Sequence, residues 1–190
     1  VIYFLVESTS FFSCKTSTNY GAIYFYHSSG QSVLHKVCGY DCCTTNSNYH
    51  QFAYIQVCNN AMYKNYVSYS SIARCVCQNS GAWYTIYLDW GNIYFPSVNF
   101  SLNKCNSRSV YCLPSGDSNS FTCSFTYSSF IDNTLYGYTC IFINTGGYNH
   151  KIGRCNIIRN TQSSSSEGTI FTYGNLVIYD SCILQNSGAT

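Results

Sequence analysis

Three features of the sequence predict an all-β chain wound as a right-handed, single-stranded parallel β-helix of about six to seven coils. The composition favours strands, a turn signal recurs at the spacing of one coil, and charge is scarce. Of the 190 residues 46% are hydrophobic and 18% aromatic, and only two are proline, Pro96 and Pro114. Tyr, Phe, Ile, Val and Thr suit a pleated surface, whereas proline would interrupt its ladders. This composition is not that of a disordered chain. The competing architecture is an antiparallel sandwich with a turn every eight to twelve residues.

The recurring signal is an apolar residue, two of any kind, Asn, then Ser or Thr. It occurs as Cys43-Thr-Thr-Asn46-Ser47, Val76-Cys-Gln-Asn79-Ser80, Phe130-Ile-Asp-Asn133-Thr134, Ile157-Ile-Arg-Asn160-Thr161 and Ile183-Leu-Gln-Asn186-Ser187. Phe100-Ser-Leu-Asn103 fits except that Lys104 follows. An apolar residue three before Asn occurs nine times, which composition alone explains. Ser and Thr make up 43 of the 190 residues, so two of those nine should be followed by one, and six are. One of the six, Ile141-Phe-Ile-Asn144-Thr145, is out of step with the rest.

Small residues and then alternating apolar stretches follow these signals, as in Tyr20-Gly21-Ala22-Ile23-Tyr24-Phe25-Tyr26 and Gly168-Thr169-Ile170-Phe171. Gly and Asn tolerate positive φ, so both are read as sharp turns with strands between them. Coils of this length bury their apolar faces only by stacking. Asn46, Asn79, Asn103, Asn133, Asn160 and Asn186 are then expected to lie above one another as a structural amide ladder. Only 8% of residues are charged, and equivalent places in successive coils would put like charges in contact. The chain is expected to form one continuous segment over 1–190, part of a longer protein.

The paired signals, apolar-x-x-Asn and Gly-Ala-Ile, resemble the FxxN and GGA[ILV] repeats of the chlamydial polymorphic membrane proteins and their trichomonad counterparts. Phe130-Ile-Asp-Asn133, Phe100-Ser-Leu-Asn103 and Tyr20-Gly21-Ala22-Ile23 carry the likeness, which runs from about Tyr20 to Thr190. It implies a surface-exposed β-helical region used in adhesion or host contact, with its membrane anchor elsewhere.

The residues themselves argue against several functions. Net charge is +2, and the nine Lys and Arg are scattered singly, so no basic stripe awaits a nucleic acid. No apolar run approaches the ~18 residues of a membrane span. The seven carboxylates, Glu7, Asp41, Asp89, Asp117, Asp132, Glu167 and Asp180, are isolated, and glycoside hydrolysis needs a close pair. Asp132 and Asp180 are the two that stacking could bring together. A carbohydrate-active β-helix, a lyase or glycosidase, is the alternative to a non-catalytic segment.

Thirteen cysteines leave at least one without an intrachain partner. Cys42, Cys75 and Cys182 each sit four before a repeat Asn, so stacking can bring thiols together, but most are expected to be buried and small. For zinc, Cys75-x-Cys77 with His150 and Cys155, or Cys38-x3-Cys42, lacks a second pair of standard spacing. No metal or cofactor is expected.

Alternation puts Tyr24, Tyr26 and Tyr94 outside, where they either contact a partner or stabilise the sheet. Asn99-Phe100-Ser101 is a glycosylation signal compatible with a secreted route. The sequence thus points to an extracellular or cell-surface stalk or contact surface. Its partners would be adjoining coils of the same chain and a host protein or glycan.

Overall fold

The structure, a computed structural model, describes residues 1–17, 20–44, 50–76, 82–163 and 167–188. Every element in it is a strand and every strand pairing is parallel. The chain winds through six coils and begins a seventh, building three long sheets.

The first sheet stacks Ile2–Glu7, Gly30–His35, Lys64–Ser68, Asn92–Pro96, Phe121–Thr126, Asn149–Gly153 and Asn175–Tyr179. The second stacks the three-residue strands Ser10–Phe12, Cys38–Tyr40, Ser71–Ala73, Asn99–Ser101, Ser129–Ile131, Asn156–Ile158 and Cys182–Leu184. The third stacks Ile23–Tyr26, His50–Gln56, Tyr84–Asp89, Arg108–Leu113, Thr139–Ile143 and Ile170–Thr172. The sequence interleaves them because parallel neighbours must be one full coil apart.

Alternation decides which side chains enter the shaft. On the first sheet Val6, Leu34, Val67, Phe95, Phe125, Ile152 and Ile178 share one inward column. On the second, Phe11, Gly39, Ile72, Phe100, Phe130, Ile157 and Ile183 share another. Rings in these columns stack nearly parallel, Phe95 on Phe125 at 4.7 Å and Phe100 on Phe130 at 5.2 Å between centroids. Gly39 breaks its column to admit Phe52, whose ring a Cβ would meet at 2.4 Å. In the last coil Ile178 and Ile183 are 44% and 41% exposed, although Ile152 and Ile157 beneath them are fully buried.

The turns differ from expectation. Each strand of the second sheet lies between two residues of positive φ, and none of those fourteen is Gly or Asn. The turn before it is Ser8, Lys36, Tyr69, Ser97, Tyr127, Arg154 or Asp180, and the turn after it Ser13, Asp41, Arg74, Leu102, Asp132, Arg159 or Gln185. A left-handed L-residue costs roughly 1 to 2 kcal/mol. The stack offsets this by hydrogen-bonding the turn N–H to the next coil, as Asp41 does to Ala73 and Leu102 to Ile131. The turn side chain projects from the corner, which is why many of these positions are polar. Gly21 has no such φ; it is small because a Cβ there would meet the Gln51 carbonyl at 1.8 Å.

Where charges do stack across coils they are opposite. Arg159 clasps Asp132 at 2.7 and 2.8 Å, Lys15 lies 3.4 Å from Asp41, and Arg154 lies 3.6 Å from Asp180.

Candidate functional site

Two features stand out from the stacked coils: a polar column at the corner after the second sheet, and an aromatic outer face on the third.

The corner column holds Cys14, Cys42 and Cys75 in the first three coils and Asn103, Asn133, Asn160 and Asn186 in the last four. Their spacings are 28, 33, 28, 30, 27 and 26 residues. In the amide half each Asn bonds the next. Asn103 Nδ2 donates to Asn133 Oδ1 at 3.1 Å, Asn133 to Asn160 at 2.8 Å, and Asn160 to Asn186 at 3.0 Å. The same oxygens accept the backbone N–H of the preceding Asn, and each Nδ2 also reaches back to a carbonyl, as Asn133 does to Phe100 at 3.0 Å. Asn133 thereby uses both lone pairs and both amide protons. Asn46 and Asn79 lie outside the described residues. In their coils the place in register with Asn103 belongs to Cys42 and Cys75, four residues earlier.

The thiols occupy this corner on the same plan. Cys42 donates to Phe11 O at 3.4 Å, the contact that Asn133 makes with Phe100 one half further on. The backbone N–H groups of Cys14 and Cys42 face the sulfurs of Cys42 and Cys75 and act to lower their pKa. Burial pushes the Cys14 thiol up, the hydrogen bond to Cys42 and then burial push the Cys75 thiol up on balance, and donation from both neighbours lowers that of Cys42. Cys182 belongs elsewhere, paired with Asn156 on the second sheet.

A hydroxyl column, unread in the sequence, follows the first turn: Thr9, Ser70, Ser128 and Ser181 alternate with Val37, Val98 and Cys155. The three serine oxygens accept the N–H of Val37, Val98 and Cys155 at 3.0 to 3.1 Å. Its only sequence signal is a Ser or Thr two places before the inward residue of every second three-residue strand.

On the third sheet Tyr24, Tyr54, Tyr87, Tyr111, Phe142 and Phe171 are in register. Their rings stack without a gap, at centroid distances of 5.6, 5.1, 4.4, 5.2 and 5.4 Å. Stacked rings cover one another's faces, so solvent meets mainly their edges. Burial raises the phenols of Tyr54, Tyr87 and Tyr111, which stay protonated. Tyr26 shares a strand with Tyr24, and both are half-exposed. Tyr94 lies on the first sheet, edge-on to Tyr66 and hydrogen-bonded to Thr126 at 3.1 Å. The three tyrosines singled out in the sequence therefore do not form one surface.

Two titratable groups flank the ladder with no partner for one polar atom each. His50 packs among Tyr20, Tyr54, Tyr84 and Tyr87 with Nδ1 unbonded, and burial lowers its pKa to about 4. Asp89 is buried with Oδ1 unbonded, and burial raises its pKa to about 6.

Beside the ladder opens a cleft of about 630 Å³ lined by Trp83, Asn106, Ser107, Arg108, Gly137, Tyr138 and Glu167. Arg108 holds Glu167 at 3.2 Å to both oxygens and stacks on Tyr138 and Phe142 at 4.8 and 3.9 Å. The cleft thus carries two half-exposed rings, an internally neutralised ion pair and small polar groups.

Asn99 sits in a shallower groove between Tyr69 and Tyr127, its Nδ2 bonded to Ser71 and Ser101 at 3.3 and 3.1 Å. That nitrogen is the one a glycan would take. Asp132 and Asp180 are not brought together, since they belong to different turn columns and each faces an arginine. Cys77 lies outside the described residues, while His150 bonds Thr145 O at 3.2 Å and Cys155 bonds Gly153 O at 3.3 Å. Among the described residues no three His, Cys, Asp or Glu side chains converge as a metal site requires, the thiol column being linear. Nor is any helix among them long and apolar enough to cross a membrane.

No protein-family model, curated protein or solved structure matches this chain.

Proposed function

We propose that this chain is a non-catalytic segment of an extracellular or cell-surface protein, a stiff solenoid that presents a contact surface for an uncharged, hydroxyl-rich glycan. The observation that carries the reading is the cleft beside the aromatic ladder. Trp83 and Tyr138 offer ring surface, Asn106 and Ser107 offer hydrogen bonds, and the Arg108–Glu167 pair cancels its own charge. Sites for small polar ligands combine apolar walls with a few placed polar groups in this way. The ladder supports it from below as scaffold. The likeness of Phe100-x-x-Asn103 and Phe130-x-x-Asn133 to surface-protein repeats supports the location.

A glycan array probed with the purified chain tests this. We expect retention by one class of neutral glycan and loss of at least tenfold in signal for Trp83→Ala with Tyr138→Ala. Retention by no glycan would leave a purely structural stalk.

One observation favours a carbohydrate-active enzyme instead: Asp89, buried and held protonated up to about pH 6, has the character of a general acid. Such chemistry requires a second carboxylate roughly 5 to 9.5 Å away. Glu167 is occupied by Arg108, Asp132 by Arg159 and Asp41 by Ser13 and Lys15. Depolymerisation of a polysaccharide that Asp89→Asn abolishes would replace the contact reading.

A further inference from the structure

We propose that Cys14, Cys42 and Cys75 form a thiol–disulfide relay along the solenoid axis, which a small-molecule disulfide such as oxidised glutathione oxidises from its outer end. Three observations carry it. The residues occupy one corner of three successive coils, each a strand spacing of ~4.8 Å from the next, within the range a disulfide spans. Their sulfurs also point alike: each lies over the carbonyl two residues back, Cys14 at 3.9 Å from Phe12, Cys42 at 3.5 Å from Tyr40, and Cys75 at 3.8 Å from Ala73. Finally, access is graded, with Cys14 partly exposed and Cys42 and Cys75 fully buried.

Exchange proceeds by a thiolate attacking a disulfide sulfur, along the sulfur–sulfur axis. Three sulfurs in a column meet that requirement. Cys14 attacks oxidised glutathione and releases one glutathione thiol, leaving a mixed disulfide on Cys14. Cys42 attacks the Cys14 sulfur, forms the Cys14–Cys42 bond and releases the second glutathione. Cys75 can then attack Cys42, forming Cys42–Cys75 and returning Cys14 to the thiol. Two protein thiols are oxidised, one disulfide is reduced to two thiols, and the two protein protons end on glutathione. Cys42 suits the central role because its neighbours' S–H and N–H groups stabilise its thiolate.

The molecule contains its own controls. Cys38 is exposed, but its cross-coil neighbours are Ser10 and Ser71. Cys112 and Cys123 interact but are both fully buried. The relay is independent of the glycan cleft, since it uses none of the residues lining it.

The test is to equilibrate the reduced chain with oxidised glutathione, block free thiols at low pH, and map the peptides by mass spectrometry. Expected are a Cys14–Cys42 or Cys42–Cys75 disulfide, glutathione retained on Cys38, and Cys112 and Cys123 still reduced. Cys75→Ser should yield Cys14–Cys42 alone, and Cys42→Ser should leave glutathione on Cys14. If Cys14 of the unaltered chain keeps its glutathione as Cys38 does, or if all three column thiols are recovered reduced, the relay is overturned. The unaltered chain decides the matter even where a variant fails to fold.

Discussion

The first three coils and the last four turn the same corner with different chemistry. In the later coils a carboxamide fills the corner, and Asn133 makes four hydrogen bonds, two to Asn103, one to Asn160 and one to Phe100. In the earlier coils a thiol fills it and makes weaker versions of some of the same contacts. The outer face of the third sheet divides similarly. His50 and Asp89, in the second and third coils, are buried with no ion-pair partner, whereas Arg108 in the fourth coil pairs with Glu167, although its Nε is unbonded like His50 Nδ1 and Asp89 Oδ1. The backbone path is common to both halves, so the fold tolerates a soft, reactive corner where it does not need a rigid one. Stability and chemical reactivity are thereby separated along one shaft.

The largest expected contrast is between the two corners. Asn133→Ala removes four buried hydrogen bonds and should destabilise the chain by about 4 kcal/mol, at roughly 1 kcal/mol each. Cys42→Ala loses one small sulfur and weak contacts and should cost about 1 kcal/mol. Urea unfolding midpoints compare the two. Equal losses would mean that the amides are not what fastens the later coils.

Acid should sharpen the same division. His50 has a pKa near 4 in the folded chain and 6.5 when unfolded, so its contribution is present above pH 6.5 and lost as pH falls towards 4. Asp89 has a folded pKa near 6 against 3.8, so its contribution is present below pH 3.8 and lost as pH rises through 6. Each amounts to about 3 kcal/mol, and they oppose. The unaltered chain should therefore be nearly flat in stability from about pH 4 to 6. Asp89→Asn should expose the histidine slope, a fall of about 3 kcal/mol between pH 6.5 and 4. His50→Gln should give the opposite slope. A flat profile in both variants would remove these two groups from the account of the early coils.

Much of the architecture is legible in the sequence because stacking imposes one period on several columns. In Phe100-x-x-Asn103 and Phe130-x-x-Asn133 the Phe is the inward residue of a three-residue strand and the Asn is the corner. The early coils carry the same pattern as Phe11-x-x-Cys14, Gly39-x-x-Cys42 and Ile72-x-x-Cys75. A search anchored on Asn passes over these and selects Asn46 and Asn79, four residues along. Only the interchange of thiol and amide at one geometry would have exposed the continuous column. Positive φ hid the turns likewise, because inter-coil hydrogen bonds hold Tyr69, Arg74 and Leu102 where isolated peptides would favour Gly. The cleft was illegible for a different reason. Trp83, Arg108, Tyr138 and Glu167 come from four successive coils, and no spacing in the chain marks their meeting.

The smallest effect is the most direct trial of whether the two halves share a corner. Cys75 precedes Asn103 in the column and already donates its N–H to Asn103 Oδ1 at 3.0 Å. That oxygen receives nothing from the Cys75 side chain, whereas Asn133 Oδ1 receives the Asn103 amide as well. Cys75→Asn should supply the missing donor to Asn103 and offer an oxygen to the N–H of Cys42, extending the ladder by one coil. The gain should be about 1 kcal/mol, because the new bonds replace weak sulfur contacts while a larger side chain enters a packed site. A raised unfolding midpoint, together with the disulfide confined to Cys14–Cys42, would show that the thiol half is an amide corner with its chemistry exchanged. A loss of stability would instead mean that the early coils are shaped around sulfur.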